Sequence, residues 1–299
     1  MWSRKQENNM FGKAFFASAG VGTGVLMLLV SITSTQFGSA SAKFLFASVG
    51  PEVAVVLRLV TATVILFAVL RPWRHVPQGR EWKSVLVYGL AIAFMNSCFY
   101  QSIARLPLGI AVAVEFSGPL LVAVCSSRRR ADLAGVVLAV AGMLLILPWS
   151  GLEGDIDIAG ILFALGAAAG WAGYIVFGRR AGGMGVSASA WGMLAGSLAS
   201  LPMALAVRGV DPFLPQALIP VLPLAFFVGL TASALPYGLE IVALRIVPPQ
   251  AYGVLMSLEP AAAALFGFVL LGEALTLRQW LAVALVVAAS LIVTRRAGK

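Results

Sequence analysis

Long apolar runs, each interrupted after some twenty residues by a short polar or Gly/Pro-containing stretch, recur along this chain from Val21 to Val293. A helix that crosses a membrane takes about 20 mostly apolar residues, so the pattern predicts ten spans: residues 21–49, 52–70, 82–104, 108–125, 131–148, 156–177, 187–207, 218–244, 250–271 and 277–293. The runs are too long for membrane β-strands and do not alternate with period two, which excludes a porin-like barrel. The expected fold is an all-α integral membrane protein.

Two stretches within this pattern repeat one another. Gly89 to Pro119 and Gly229 to Pro260 each run glycine, apolar helix, arginine, proline, apolar helix, proline. Gly89, Leu90 and Arg105 fall on Gly229, Leu230 and Arg245, while Pro107 and Pro119 fall one position further on, against Pro248 and Pro260. Gly38 with Gly173, and Arg130, Leu133 and Ala134 with Arg278, Leu281 and Ala282, follow in the same order along both halves. Ten spans then divide into five and five, over residues 21–150 and 156–293. An odd number per half inserts the two copies in opposite orientations, so ten transmembrane helices are expected as two inverted five-helix repeats around a central cavity. Such repeats mark secondary transporters more often than enzymes.

Composition agrees with burial in lipid: 60% of the 299 residues are hydrophobic and 11% charged. The formal charge of +9 raises nucleic acid as a partner, and the placement of the basic residues answers it. With the N-terminus in the cytoplasm, the inner segments hold Arg4, Lys5, Lys13, Arg71, Arg74, Arg80, Lys83, Arg128, Arg129, Arg130, Arg179, Arg180, Arg245, Arg295, Arg296 and Lys299. Only Lys43, Arg105, Arg208 and Arg278 lie toward the other side, where Glu153, Asp155 and Asp157 share one loop. The positive-inside rule then puts both termini in the cytoplasm. Membrane orientation accounts for the basic balance, and no nucleic-acid partner is expected. The first apolar stretch is too long for a signal h-region and lacks a clear cleavage site, so it is expected to stay as the first helix.

Chemistry-bearing motifs are scarce. There is no GxxxxGK[ST] phosphate loop, and Gly20, Gly22 and Gly24 do not follow a strand, so they make no dinucleotide fingerprint. The single histidine, His75, lies in a basic loop, which excludes His-rich metal sites and speaks against a Ser/His arrangement. Cys98 and Cys125 fall inside predicted spans and form no metal or redox spacing, so no disulfide is expected. No cofactor or metal is expected, the loops are too short for a soluble domain, and the chain reads as no enzyme.

Ionisable residues inside a span cost about 2.5–3.5 kcal/mol each by the lower estimates, so those that persist need a reason. Glu115 lies one turn before Pro119, which deprives the Glu115 carbonyl of its usual donor and bends the helix. A free carbonyl and a carboxylate on one face could receive an ammonium group; equally, Glu115 could pair with Arg58 and tie helices together. Glu259 precedes Pro260 at a second bend, where a proton-carrying or substrate role competes with capping of the broken helix, and capping has the stronger local explanation. Arg58 could hold a carboxylate bidentately, snorkel, or neutralise Glu115, the last being favoured. Glu240 and Arg245 are assigned to the cytoplasmic end of span 8, as interfacial residues. Asn96 and Tyr100, at i and i+4, share a face, as do Trp171 and Tyr174 at i and i+3. Together with Tyr237 and Tyr252 they are candidates for a substrate cavity.

These residues also carry a resemblance. Ser257-Leu-Glu-Pro-Ala, continuing through Leu271-Gly-Glu273 and residues 277–293, is similar to the C-terminal repeat of the EamA branch of the drug/metabolite transporter superfamily. Trp171 to Arg180 resembles that family's sixth helix, and Ala54 to Arg58 its second. Pro107 to Pro119, Ser126-Ser-Arg-Arg129 and Ala234 to Glu240 resemble the bacterial amino-acid exporters of the family, of the threonine/homoserine and aromatic amino-acid kinds. The resemblance implies a ten-helix inverted-repeat fold that exports amino acids across the bacterial inner membrane. A monomer or weak homo-oligomer is expected. Efflux of lipophilic cations is the alternative, although small multidrug members place a glutamate in their first helix and this chain has none there; a membrane enzyme is a further one.

Overall fold

The computed structural model describes residues 21–126, 133–146, 157–181, 186–247, 252 and 255–297. The Arg128–Arg130 cluster, Glu153, Asp155, Pro248 and the basic residues at both chain ends before Phe11 and after Ala297 lie outside them, as does Lys13. Every regular element among the described residues is helical. This is what lipid demands, because backbone groups there must be satisfied within the segment itself.

Helix α1 covers Val21–Leu70, and at 50 residues it would be about 75 Å long if straight, more than twice a bilayer's hydrocarbon core. It is not straight. Gly50 sits at φ 76°, ψ 162°, followed by Pro51, which has no N–H to continue the ladder. The two spans expected over 21–49 and 52–70 are therefore separated by a single glycine rather than a loop. A left-handed Arg71 and a short 3₁₀ turn, Pro72–Arg74, lead into α2, Arg80–Ile103. The fourth apolar run is divided into α3, Leu108–Glu115, and α4, Ser117–Ser126. There follow α5 (Leu133–Ile146), α6 (Ile158–Ala181) and α7 (Val186–Arg208).

The eighth run changes type along its length. Helix α8, Pro215–Gly229, passes into a π-helical segment, Leu230–Ala234, and then into α9, Leu235–Ile246. Helix α10, Glu259–Leu271, starts with Pro260 in its first turn, where a missing N–H costs nothing. It ends at Gly272, whose φ of 66° permits the two closing bonds Gly272 N to Phe268 O and Glu273 N to Gly267 O. Helix α11 is Leu277–Ala297.

Packing is inverted relative to a water-soluble domain. Leu26, Val64, Leu90, Leu121, Val137, Leu162, Leu198, Ile219 and Val269 point outward, while Gln36, Arg58, Asn96, Gln101, Glu115 and Glu259 are buried. Five helical stretches among the described residues are long and apolar enough to cross a membrane: Val21–Leu70, Arg80–Ile103, Ile158–Gly178, Ser187–Arg208 and Pro215–Glu240. A continuous apolar exterior over such helices is the surface of a multi-pass membrane protein. Inside, α2 packs on α6 and α7, α1 on α7, α8 and α9, α3 on α6 and α10, and α5 on α11. Small residues set the close approaches. A Cβ at Gly89 would lie 2.5 Å from the Ala195 Cβ of α7, and one at Gly229 would lie 2.8 Å from the Thr61 Cβ of α1.

Candidate functional site

A cavity of about 90 Å³ lies among these helices. Most of its walls include residues three or four apart, the spacing that puts side chains on one helix face. The first half of α1 contributes Thr35, Gln36 and Ser39, and its second half Arg58. Helix α2 contributes Met95, Asn96 and Phe99, α3 contributes Val112 and Glu115, and α6 contributes Trp171 and Tyr174. The far wall holds Ala232 of the π segment, Pro236, Tyr237 and Glu240 of α9, then Met256 and Glu259.

Glu115 is the last residue of α3. Pro119, four residues on, cannot donate to its carbonyl, and the helix resumes at Ser117, so the carboxylate stands where the backbone changes course. Glu259 occupies the first turn of α10, whose N-cap residue, Leu258, makes no side-chain capping bond. Capping by Glu259, the reading favoured from sequence, is not found among the described residues; Glu259 lines the cavity instead, 6% exposed. Glu240 is also corrected. Instead of lying at the membrane interface, it lines the cavity and accepts a 2.6 Å hydrogen bond from Ser31 Oγ of α1. Helix α9 runs on to Ile246, so Glu240 is more than a turn inside its end.

Arg58 is the one guanidinium in the cavity wall among the described residues. Its Nε donates to Ser233 Oγ at 2.8 Å and its Nη2 to the Ala232 carbonyl at 2.7 Å. Both acceptors belong to the π segment. No carboxylate of a described residue lies within ion-pair distance of Arg58, so the favoured Arg58–Glu115 pair is absent. The Tyr100 ring lies under the guanidinium, 5.3 Å from Cζ to ring centroid, a cation–π distance.

Of the tyrosines and tryptophan expected in the cavity, Trp171, Tyr174 and Tyr237 line it. Trp171 stands edge-on to Phe116, and Tyr174 lies between Tyr88 and Tyr237 with ring centroids 5.2 and 6.0 Å away. Tyr100 and Tyr252 do not line it. Tyr100 is fully buried behind Arg58, and Tyr252 packs with Leu28, Ala243 and Val247. Asn96 lines the cavity while its Nδ2 donates to the Ile92 carbonyl one turn back, 2.8 Å away. Missed from sequence, among others, were Thr35, Ser39 and Met95. The signal for the first two was the hydroxyl-rich run Ser31 to Ser41 in an otherwise apolar helix.

Among the described residues, the ion-paired charges gather at one end of the bundle. Lys43 Nζ donates to Glu273 Oε1 at 2.5 Å and to the Leu106 carbonyl at 3.2 Å, and Glu273 Oε2 accepts the Leu108 N–H at 2.7 Å. Arg208 Nε binds Glu52 at 2.8 Å, Glu52 accepts from Gln101 at 2.6 Å, and Arg105 joins Gln101 to Asp157. The αL turn at Gly272 is what delivers Glu273 to this cluster. Among the described residues no group of His, Cys, Asp and Glu could hold a metal ion.

This architecture has known relatives. The model of the EamA-like transporter family matches residues 22–147 and again 158–295. The threonine/homoserine exporters RhtA of Salmonella typhimurium (strain SL1344) and of Escherichia coli (strain K12) are each 43% identical, over 89% of this chain and 90% of theirs. The uncharacterized transporter YwfM of Bacillus subtilis (strain 168) is 28% identical over 71% of this chain and 73% of its own. A crystal structure 19% identical in sequence superposes with a TM-score of 0.61, covering 93% of this chain and 99% of that one, which shows a shared fold. With both of its apolar halves matching, the chain belongs to the EamA-like transporter family, a multi-pass membrane transporter of small molecules and not an enzyme.

Proposed function

We propose that this protein exports amino acids of the threonine and homoserine kind, with methionine and aromatic amino acids as further candidates, across a bacterial cytoplasmic membrane by alternating access. The observation that carries the reading is the cavity's charge pattern: three carboxylates, Glu115, Glu240 and Glu259, and one guanidinium, Arg58, in a single apolar-walled space. A zwitterion presents both charges at once, and neither charge is cheap to hold in lipid without a partner. The 43% identity to threonine/homoserine exporters supports the same class of substrate. Glu115 and Asn96 supply polar contacts, Trp171, Tyr174 and Tyr237 receive the side chain, and Tyr100 and Tyr252 act from behind the wall.

The reading takes the chain as ten spans in two inverted halves, residues 21–150 and 156–293, with both termini cytoplasmic. Support comes from reciprocal packing: Gly89 of the third span lies on Gly192 and Gly196 of the seventh, and Gly229 of the eighth lies on Thr61 and Ala62 of the second. Exchanging the halves exchanges these contacts. In that orientation the Lys43, Glu273, Arg208, Glu52, Arg105 and Asp157 cluster closes the outer end, so the cavity is reached from the cytoplasm, and transport requires the cluster to open as the halves rock.

Counterflow of labelled amino acids into proteoliposomes tests the reading. Accumulation of threonine or homoserine is expected, and no accumulation of these, methionine or aromatic amino acids would overturn it. The excess of carboxylates also suits a cation, so the same vesicles are offered a lipophilic cation; its transport with no amino-acid counterflow would establish cation efflux instead.

A further inference from the structure

We propose that Arg58 holds the substrate's carboxylate through its Nη1, so that the cavity selects molecules bearing both a carboxylate and an ammonium over the corresponding amides, esters and decarboxylated amines. The assignment rests on the export reading above and deepens it.

Arg58 is 5% exposed and lines the cavity, yet its Nη1 has no hydrogen-bond partner. A guanidinium has five N–H donors, and two of this one's nitrogens are already engaged, Nε by Ser233 Oγ and Nη2 by the Ala232 carbonyl. Both partners are neutral. They orient the group without neutralising it, and the Tyr100 ring supports its face without supplying an anion. A buried cation held in place with no counterion is costly unless something negative arrives. The carboxylates in the same cavity do not fill that role, since none is within ion-pair distance of it among the described residues. They remain for the ammonium end. A matching acceptor lines the same cavity: Gln36, 2% exposed, has an unpartnered Oε1. One free donor on a cation, and one free acceptor in a cavity that also holds carboxylates, fit the two ends of an α-amino acid.

Arg58 also touches the backbone that changes type. Its two anchors lie in the π segment, Leu230–Ala234, and π insertions in helices occur often at functional sites. A carboxylate drawn to Nη1 therefore pulls on α1 and on the α8–α9 junction through one side chain.

The test is inhibition of L-threonine counterflow in proteoliposomes by L-homoserine, L-threoninamide and L-threonine methyl ester. For the native protein homoserine inhibits, and the amide and ester are at least about tenfold weaker, the scale of a charge-assisted hydrogen bond. Arg58→Gln raises the KM for threonine about 10- to 100-fold and brings the amide to near parity with it, while Arg58→Lys, which keeps the charge but not its placement, raises the KM and keeps part of the preference. Ser233→Ala, which removes a tether but not the charge, keeps the native preference for carboxylate. A structural role alone would lower the amount of folded protein or the maximal rate and leave that preference unchanged in every variant. Should the Arg58 variants fail to fold, inhibition of the native protein still decides. Threonine counterflow inhibited equally by the amide overturns the carboxylate assignment and leaves export standing, whereas no counterflow of any amino acid overturns export and this assignment with it.

Discussion

Glu115 closes helix α3 with its side chain in the cavity and its carbonyl beyond the reach of Pro119. Glu115→Gln keeps the shape and removes the charge, so threonine transport is expected to fall at least about tenfold, the loss of one charge-assisted contact to an ammonium group. The melting temperature in detergent is expected to hold, and native transport with native pH dependence would remove Glu115 from both binding and coupling. Ser31→Ala strands Glu240 without its hydroxyl donor. Hydrogen bonds to charged groups contribute about 1.5–3 kcal/mol net, and a lower melting temperature reads that loss; an unchanged one would contradict the bond's contribution. Intramembrane carboxylates were legible in the sequence because lipid penalises them wherever they fall. What they face was not legible. Glu240 was assigned to the interface because it lies near the end of an apolar run, and only the rotation of α9 against α1 turns it inward to Ser31. Arg58 illustrates the same limit: its charge suggested a carboxylate partner, and the structure gives it a hydroxyl and a carbonyl.

Among the elements, the broken ones surround the cavity. The interruptions at Gly50, at Phe116 before Pro119, at Leu230–Ala234 and ahead of Pro260 arise from different local causes. Glycine and proline accompany each of them because those residues act on the backbone directly. At the π segment it is Pro236, which has no N–H for the Ala232 carbonyl four residues back. Arg58 takes that freed carbonyl, and Gly38 lets α1 approach it; these two contacts are the tertiary part. The repeated glycines Gly89 and Gly229 are legible as a pair, but the need for them comes from contact with Ala195 and Thr61. Gly89→Ala and Gly229→Ala are each expected to destabilise by about 1–3 kcal/mol, the usual cost of overpacking. Gly238→Ala is the control, since a Cβ there meets nothing within 4 Å and alanine favours helix. Thermal melts of the three proteins check the contrast, and equal melting would contradict the packing account.

At the scale of the whole molecule, every ion pair found among the described residues lies at one end of the bundle, away from the cavity carboxylates. Charge asymmetry in the loops sets Lys43, Arg105 and Arg208 apart from the other basic residues in the sequence, and the structure joins all three in one cluster. The sequence could not foresee their partners, since Glu273 reaches Lys43 across 230 positions of chain. Glu273→Gln weakens this closure. A cysteine placed at Ser39 in a background lacking Cys98 and Cys125 is expected to react about tenfold faster with an impermeant thiol reagent added outside, corresponding to about 1.4 kcal/mol in the open–closed balance. Unchanged labelling would show that the cluster does not control access. The central claim is that amino acids pass through this cavity. It is tested most directly by L-threonine counterflow in proteoliposomes carrying equal amounts of the native protein and of Glu115→Gln. The account predicts accumulation by the native protein and at least about a tenfold loss in the variant; no accumulation by the native protein, or equal accumulation by both, would contradict it.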